Sequence, residues 1–181
     1  MTEQSHFALL ADYNQWMNQK LYAAAGTMGA DALAQDRGAF FGSILGTLNH
    51  LVVADTIWLK RFATHPMHAR ALHSQAEVPM PNSLDAVPFR DFTALRMHRE
   101  WLDALIIDWA GGTAPEGGWN HALSYTNTRG ERFHKRMDFL MLHFFNHQTH
   151  HRGQVTTLLS QAGVDVGETD LRVLLPDEAE G

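Results

Sequence analysis

The chain has 181 residues, 45% of them hydrophobic, a formal charge of -6 and no cysteine. That length suits one domain with a substantial core, which we place at residues 1–172 ahead of an acidic tail at 173–181, and leaves too little for a second. The negative balance, with only short and separated basic runs at 60–62 and 134–136, excludes a nucleic-acid surface, while the missing cysteines exclude disulfides, thiolate metal ligands and a cysteine nucleophile.

The opening "MTEQSHFALLADYNQW" has neither a basic start nor a long apolar run, and no later segment reaches transmembrane length, so neither a signal peptide nor a membrane partner is expected and the cytoplasm is the expected location. Helix one is predicted from Ser5 to Met28, where Phe7, Leu10, Ala11, Asn14, Met17, Leu21, Ala24 and Met28 recur at three- and four-residue steps. Helix two runs from Ser43 to Thr64, with Ile44, Leu48, Leu51, Trp58 and Phe62 on its stripe and Leu45, Val52 and Leu59 widening it. The arcs of helices one and two are wider than one core needs, which predicts a homodimer through helical faces. Residues 65–88 hold Pro66, Pro79, Pro81 and Pro88 and form a long link. Helix three is predicted from Phe89 to Ala110 and stops at Gly111-Gly112. The alternation around "TNTRG" predicts a hairpin, and helix four follows from Arg136 to Ala162. The fold class is therefore all-α, with a long crossover between helices two and three.

Helix four carries the unusual stretch "HFFNHQTHHRGQ", residues 143–154, with four of the chain's 12 histidines. At about 100° per residue its apolar positions fill an arc of roughly 100°; His151 lies inside that arc, His147 on its edge, and His143 and His150 outside it. An HxxxH pair sets two imidazoles about 6 Å apart along the axis, within reach of one ion, and imidazole suits zinc, nickel, copper or iron. The spacing alone does not single out a site, since His143 and His147 share it.

"FNHQTHHRGQVTTLLSQAGVDVGETDL" together with "LGTLNHLVVADTIWLKRF" closely resembles the DinB family, the DinB/YfiT-like metalloenzymes, over nearly the whole chain. The resemblance implies a four-helix bundle and a mononuclear divalent-metal site, zinc or nickel, held by three histidines. Of these, His50 matches the family histidine of helix two, and His147 and His151 match the other two. By its own surroundings His50 is open to two readings, a ligand beside the small or apolar Gly46, Val53, Ala54 and Ile57, or a core histidine bonded to a backbone carbonyl. Asp55 is either an acceptor fixing an imidazole tautomer or part of a helix–helix hydrogen bond. Arg152 either holds an anionic substrate or, the reading favoured here, ties helix four to a carboxylate. Gly153 costs up to ~1 kcal/mol in mid-helix relative to alanine, which predicts a close helix contact there. Trp16, Trp58, Trp101 and Trp109 are expected in the core. His6, His65, His68, His73, His98, His121 and His134 share no spacing and are expected in solvent.

Relatives of this kind include thiol-dependent transferases and isomerases, so the resemblance implies either a hydrolase or an enzyme transferring a low-molecular-weight thiol to an electrophile. A small-molecule substrate is the expected partner. A metal-binding protein without catalysis, linked to stress, and a metal-free interaction module are the alternatives.

Overall fold

The computed structural model describes residues 3–112 and 118–177. Its elements are α1 (Glu3–Ala25), the short α2 (Ala30–Ala34), α3 (Ile44–Ala63), the single turn α4 (Pro66–Ala69), α5 (Phe92–Gly111), strands β1 (Ala122–Thr126) and β2 (Arg132–Arg136), and α6 (Met137–Gln161). Residues 178–181 of the expected acidic tail lie outside the described residues. No helix among the described residues is long and apolar enough to cross a membrane.

The four predicted helices are α1, α3, α5 and α6, and local chemistry moves their ends. Helix α1 stops at Ala25 rather than Met28 because the chain tightens, with Thr27 and Met28 donating back three residues to the carbonyls of Ala24 and Ala25 at 3.2 and 3.0 Å. At the start of α3 the Ser43 hydroxyl accepts from the Gly46 N–H at 3.0 Å, which satisfies one of the open amides there. Helix α5 begins later than Phe89 for two reasons. Asp91 caps the Ala94 N–H at 2.8 Å, and the Asn49 side chain takes both backbone groups of Phe89, accepting its N–H at 3.0 Å and donating to its carbonyl at 2.9 Å. The long crossover is present and contains short helical turns. Pro66 opens α4, where a fixed φ and a missing N–H cost nothing, and a 3-10 turn follows at His73–Ala76.

The predicted hairpin is present, with β1 antiparallel to β2 and Tyr125 opposite Phe133. Asn127 shapes its turn by accepting from the N–H groups of Arg129 and Glu131 at 2.9 and 3.0 Å, and Gly130 supplies a φ of 83°.

Helix α1 packs on α5 and α6, and α3 packs on both as well. The protein is thus mostly helical with one small sheet. Leu48, Phe62, Leu95, Leu102, Ile106 and Phe144 are fully enclosed. The tryptophan expectation holds only in part, since Trp109 is buried but Trp16, Trp58 and Trp101 are half-buried, and Trp119, just before the hairpin, fills the core instead. Most apolar positions of α1 and α3 are buried within the chain, while Leu10, Trp16 and Trp58 are half-buried. Among the described residues neither helix exposes a large hydrophobic side chain, whereas α6 exposes Phe139 and Leu142.

A charged network threads the core and takes a residue from every long helix. Arg99 of α5 pairs with Asp55 of α3 at 2.5 Å and with Asp103 at 3.0 Å. Asn14 and Asn18 of α1 each donate to Asp103 at 2.9 Å, and Arg152 of α6 donates to the side-chain amide oxygen Oδ1 of Asn14. Two arginines and two aspartates leave the buried set neutral, as burial of charge requires.

Candidate metal centre

Helix α3 and helix α6 bring His50, His147 and His151 together, with one ring nitrogen of each within 4.8 Å of the others. The Nε2 atoms of His50 and His151 are 3.2 Å apart, and those of His151 and His147 are 3.1 Å apart. His50 and His151 are buried and His147 is half-buried, so the group opens on the His147 side.

The outward nitrogens decide what the inward ones can do. His50 Nδ1 lies 2.8 Å from the Leu84 carbonyl, which can only accept, so Nδ1 carries the proton and Nε2 a bare lone pair. His151 Nδ1 lies 2.8 Å from Gln154 Oε1, an amide oxygen that can only accept, and the Gln154 amide nitrogen lies 3.3 Å from His150 Nε2. His151 Nε2 is therefore bare as well. Two lone pairs then face each other at 3.2 Å with no proton to share. A four-coordinate ion with nitrogens at ~2.0–2.1 Å sets its ligand atoms roughly 3.3 Å apart, which is the separation found. The trio could hold a metal ion.

The surroundings keep the rings neutral. Burial, the largest cause, pushes His50 down to about 4 and His147 down to about 3; it lowers His151 too, against the pull of Gln154. Above His50 the Phe41 ring stacks at a centroid distance of 3.8 Å and an interplanar angle of 17°. Gly46 makes that contact possible, since a Cβ there would stand 2.1 Å from the Phe41 carbonyl oxygen.

Both readings of His50 meet in one ring, which bonds a backbone carbonyl with one nitrogen and turns the other toward α6. Asp55 takes the helix–helix role, bound to Arg99. Among the described residues its carboxylate makes no hydrogen bond to a histidine ring. Arg152 departs from the favoured expectation, reaching an asparagine oxygen rather than a carboxylate and touching Thr149 Oγ1 at 3.1 Å. Gly153 has no close helix contact, since a Cβ there would meet nothing within 4 Å. His143 and His150 are exposed, as their angles predicted. The orienting groups Leu84 and Gln154 and the Phe41 cover were missed. Gln154 was within reach of sequence reasoning, three residues beyond His151 on the same helix, but Leu84 is 34 residues from His50 on an irregular link.

The seven remaining histidines do not all lie in solvent. His68 is buried, and His65, His98 and His121 are half-buried. His65, His68 and His121 form a second trio with ring nitrogens within 4.8 Å. They meet because α4 folds back against the entry to the hairpin, a proximity that no spacing encodes. In this trio the Trp109 indole N–H donates to His68 Nδ1 at 3.2 Å, so the His68 proton sits on Nε2 and points at His121 Nε2, 2.9 Å away. His65 Nδ1 accepts from the Met67 N–H at 3.3 Å.

A family model described as DinB family matches residues 1–179. The chain is 24% identical over 172 residues to Protein DinB of Bacillus subtilis (strain 168), a match covering 94% of this chain and 95% of that protein. No solved structure matches it significantly.

Proposed function

Because the chain belongs to the DinB family, we propose that it is a metal-dependent enzyme, a four-helix bundle with a long crossover in which His50, His147 and His151 hold one divalent transition metal, zinc or nickel. The observation that carries this reading is the 3.2 Å approach of two Nε2 atoms whose rings each turn the other nitrogen to an oxygen acceptor. Hydrogen bonding cannot account for that contact, and a shared cation can. A bound ion of this kind supplies a Lewis acid that acidifies a coordinated water or thiol, the step common to hydrolysis and to thiol S-transfer.

The protein's own residues prepare the site. The Leu84 carbonyl and Gln154 hold two rings in the ligating tautomer, the role that orienting partners play around metal-bound histidines. Phe41 excludes water from the His50 face. The half-buried His147 side is the approach for a small substrate. Three neutral ligands leave an ion's charge uncompensated, which favours an anionic partner such as a low-molecular-weight thiolate.

The test is to load the protein with cobalt and follow its visible and near-ultraviolet spectrum while 2-mercaptoethanol is added near neutral pH. A saturating sulfur charge-transfer band is expected. A loaded spectrum that ignores thiol, azide and pH would mean a closed coordination sphere, and the protein would then be a metal binder without catalysis. Turnover of thiol-plus-electrophile and ester panels by the loaded protein separates the two chemistries.

A further inference from the structure

A cavity of about 1110 Å³ lies between the crossover and the flanks of α3 and α5, outside the histidine centre. Its volume lies just above the range of roughly 300–1,000 Å³ usual for small-molecule pockets. Val52, Val53 and Thr56 of α3 form an apolar floor. One wall is a run of rings, Phe89 against His98 at 4.8 Å and His98 against Trp101 at 5.2 Å between centroids. Burial, with Arg99 alongside, holds His98 below its ordinary range, so that ring is neutral near pH 7. The rim carries two carboxylates, Glu77 and Asp85, and no lysine or arginine lines the cavity among the described residues. Aromatic faces under an uncompensated negative rim attract a cation with an apolar body and repel an anion.

We propose that this cavity binds a small apolar cation, an ammonium ion with aromatic or aliphatic substituents, and that its occupancy is linked to the histidine centre through Leu84. Ser83 and Asp85 line the cavity, and the carbonyl of Leu84 between them accepts the His50 Nδ1–H at 2.8 Å. A ligand that tightens or shifts this rim therefore alters the bond that fixes the His50 tautomer. The linkage rests on the metal reading above; the cavity's ligand class does not.

Calorimetry on the full, metal-stripped chain tests the ligand class with three probes of similar size: benzyltrimethylammonium, benzyl alcohol and phenylacetate. Benzyltrimethylammonium should bind about tenfold tighter than phenylacetate, and Glu77→Gln with Asp85→Asn should weaken it about three- to tenfold without moving the melting temperature. Trp101→Leu should weaken it as well. Equal affinity for cation and anion, no binding of any probe, or cation binding that survives both carboxylate substitutions overturns the assignment. Nickel affinity is then measured with and without saturating benzyltrimethylammonium. Reciprocity requires nickel to change the probe's affinity by the same factor, and we expect a change of about threefold or more. Nickel affinity unmoved by a bound probe overturns the linkage. A chain that binds no nickel refutes the histidine centre instead, while the calorimetry still decides the cavity.

Discussion

His50, His147 and His151 form one trio and His65, His68 and His121 another, and in each the ring nitrogens lie within 4.8 Å of one another. Their protons are arranged differently. In the first, two outward nitrogens donate to a carbonyl and an amide oxygen, which strips the inward nitrogens of protons. In the second, an indole N–H already occupies the His68 lone pair at Nδ1, so its other nitrogen is a donor with a histidine to donate to. Ligating a metal through that Nε2 would require His68 to lose its one N–H proton and become an imidazolate, or to give up Trp109. Crowding of histidines therefore does not by itself make a metal site; the partners on the far side of each ring decide whether the near side offers a lone pair.

The largest difference between the trios should appear in metal content. We expect the protein, dialysed against nickel or zinc, to retain one equivalent, and His50→Ala, His147→Ala or His151→Ala each to reduce this to a small fraction. His68→Ala and His121→Ala should keep the full equivalent, as should His143→Ala and His150→Ala. Elemental analysis alongside circular dichroism reads this out. Full retention by a folded His151→Ala variant would sink the ligand assignment, and loss in His68→Ala would erase the contrast between the trios.

What the sequence made legible follows from how far each feature depends on neighbours along the chain. The four long helices and the hairpin were readable because their signals are periodic and local, from the Leu48 and Phe62 stripe to the Asn127 turn. Helix ends were less so, because Asn49 holds Phe89 from 40 residues away. The approach of His147 and His151 was a matter of helical angle. His50 reached the same place only through the family resemblance, since helix-to-helix registry is set by packing rather than by spacing. The second trio was misjudged for the same reason, as α4 and the hairpin entry meet through a crossover whose path no short-range pattern encodes. Arg152 and Asp55 belong to a network whose partners lie on other helices, so the apolar stripe of helix two could turn Asp55 inward, but nothing along the chain could name the groups that answer either charge.

A smaller effect separates the ligands from the groups that orient them. Gln154→Leu removes the acceptor at His151 Nδ1 and frees the ring to place its proton on Nε2, facing the other histidines. Loss of such an orienting partner typically costs 10–100-fold in metal affinity, so we expect roughly that loss with all three ligands present. Gln154 is half-buried at the edge of α6, and the fold should tolerate the change. Competition titration against a chelating dye measures it. An affinity equal to that of the unmodified protein would show that the amide does not set the tautomer, and the contrast between the trios would lose its physical basis.

The smallest effect is in the acid limb of stability, where a metal should separate two trios that behave alike without one. Burial pushes His68 down to about 3, with His121 and His65 adding to the shift, and pushes His50 and His147 to about 4 and 3. Each folded-state value lies below the ordinary 6.5, so the unfolded chain takes up protons first as the pH falls. The contribution of each ring is fully present above about pH 6.5 and is lost as the pH descends toward the folded values. Each proton taken up only by the unfolded chain steepens the decline by about 1.4 kcal/mol per pH unit. Stability of the metal-free protein, from urea unfolding, should therefore fall below about pH 6.5. His68→Gln, which can still accept from Trp109 but cannot titrate, should make that fall shallower by close to one proton. Saturating nickel raises stability only through the first trio, and its benefit should shrink on acidification as protons compete for those ligands. The His68 share of the slope should be the same with nickel as without. A His68→Gln variant whose stability declines with pH as steeply as the unmodified protein would mean that His68 is not kept neutral by the fold, and a His68 contribution abolished by nickel would mean that the second trio binds the ion after all.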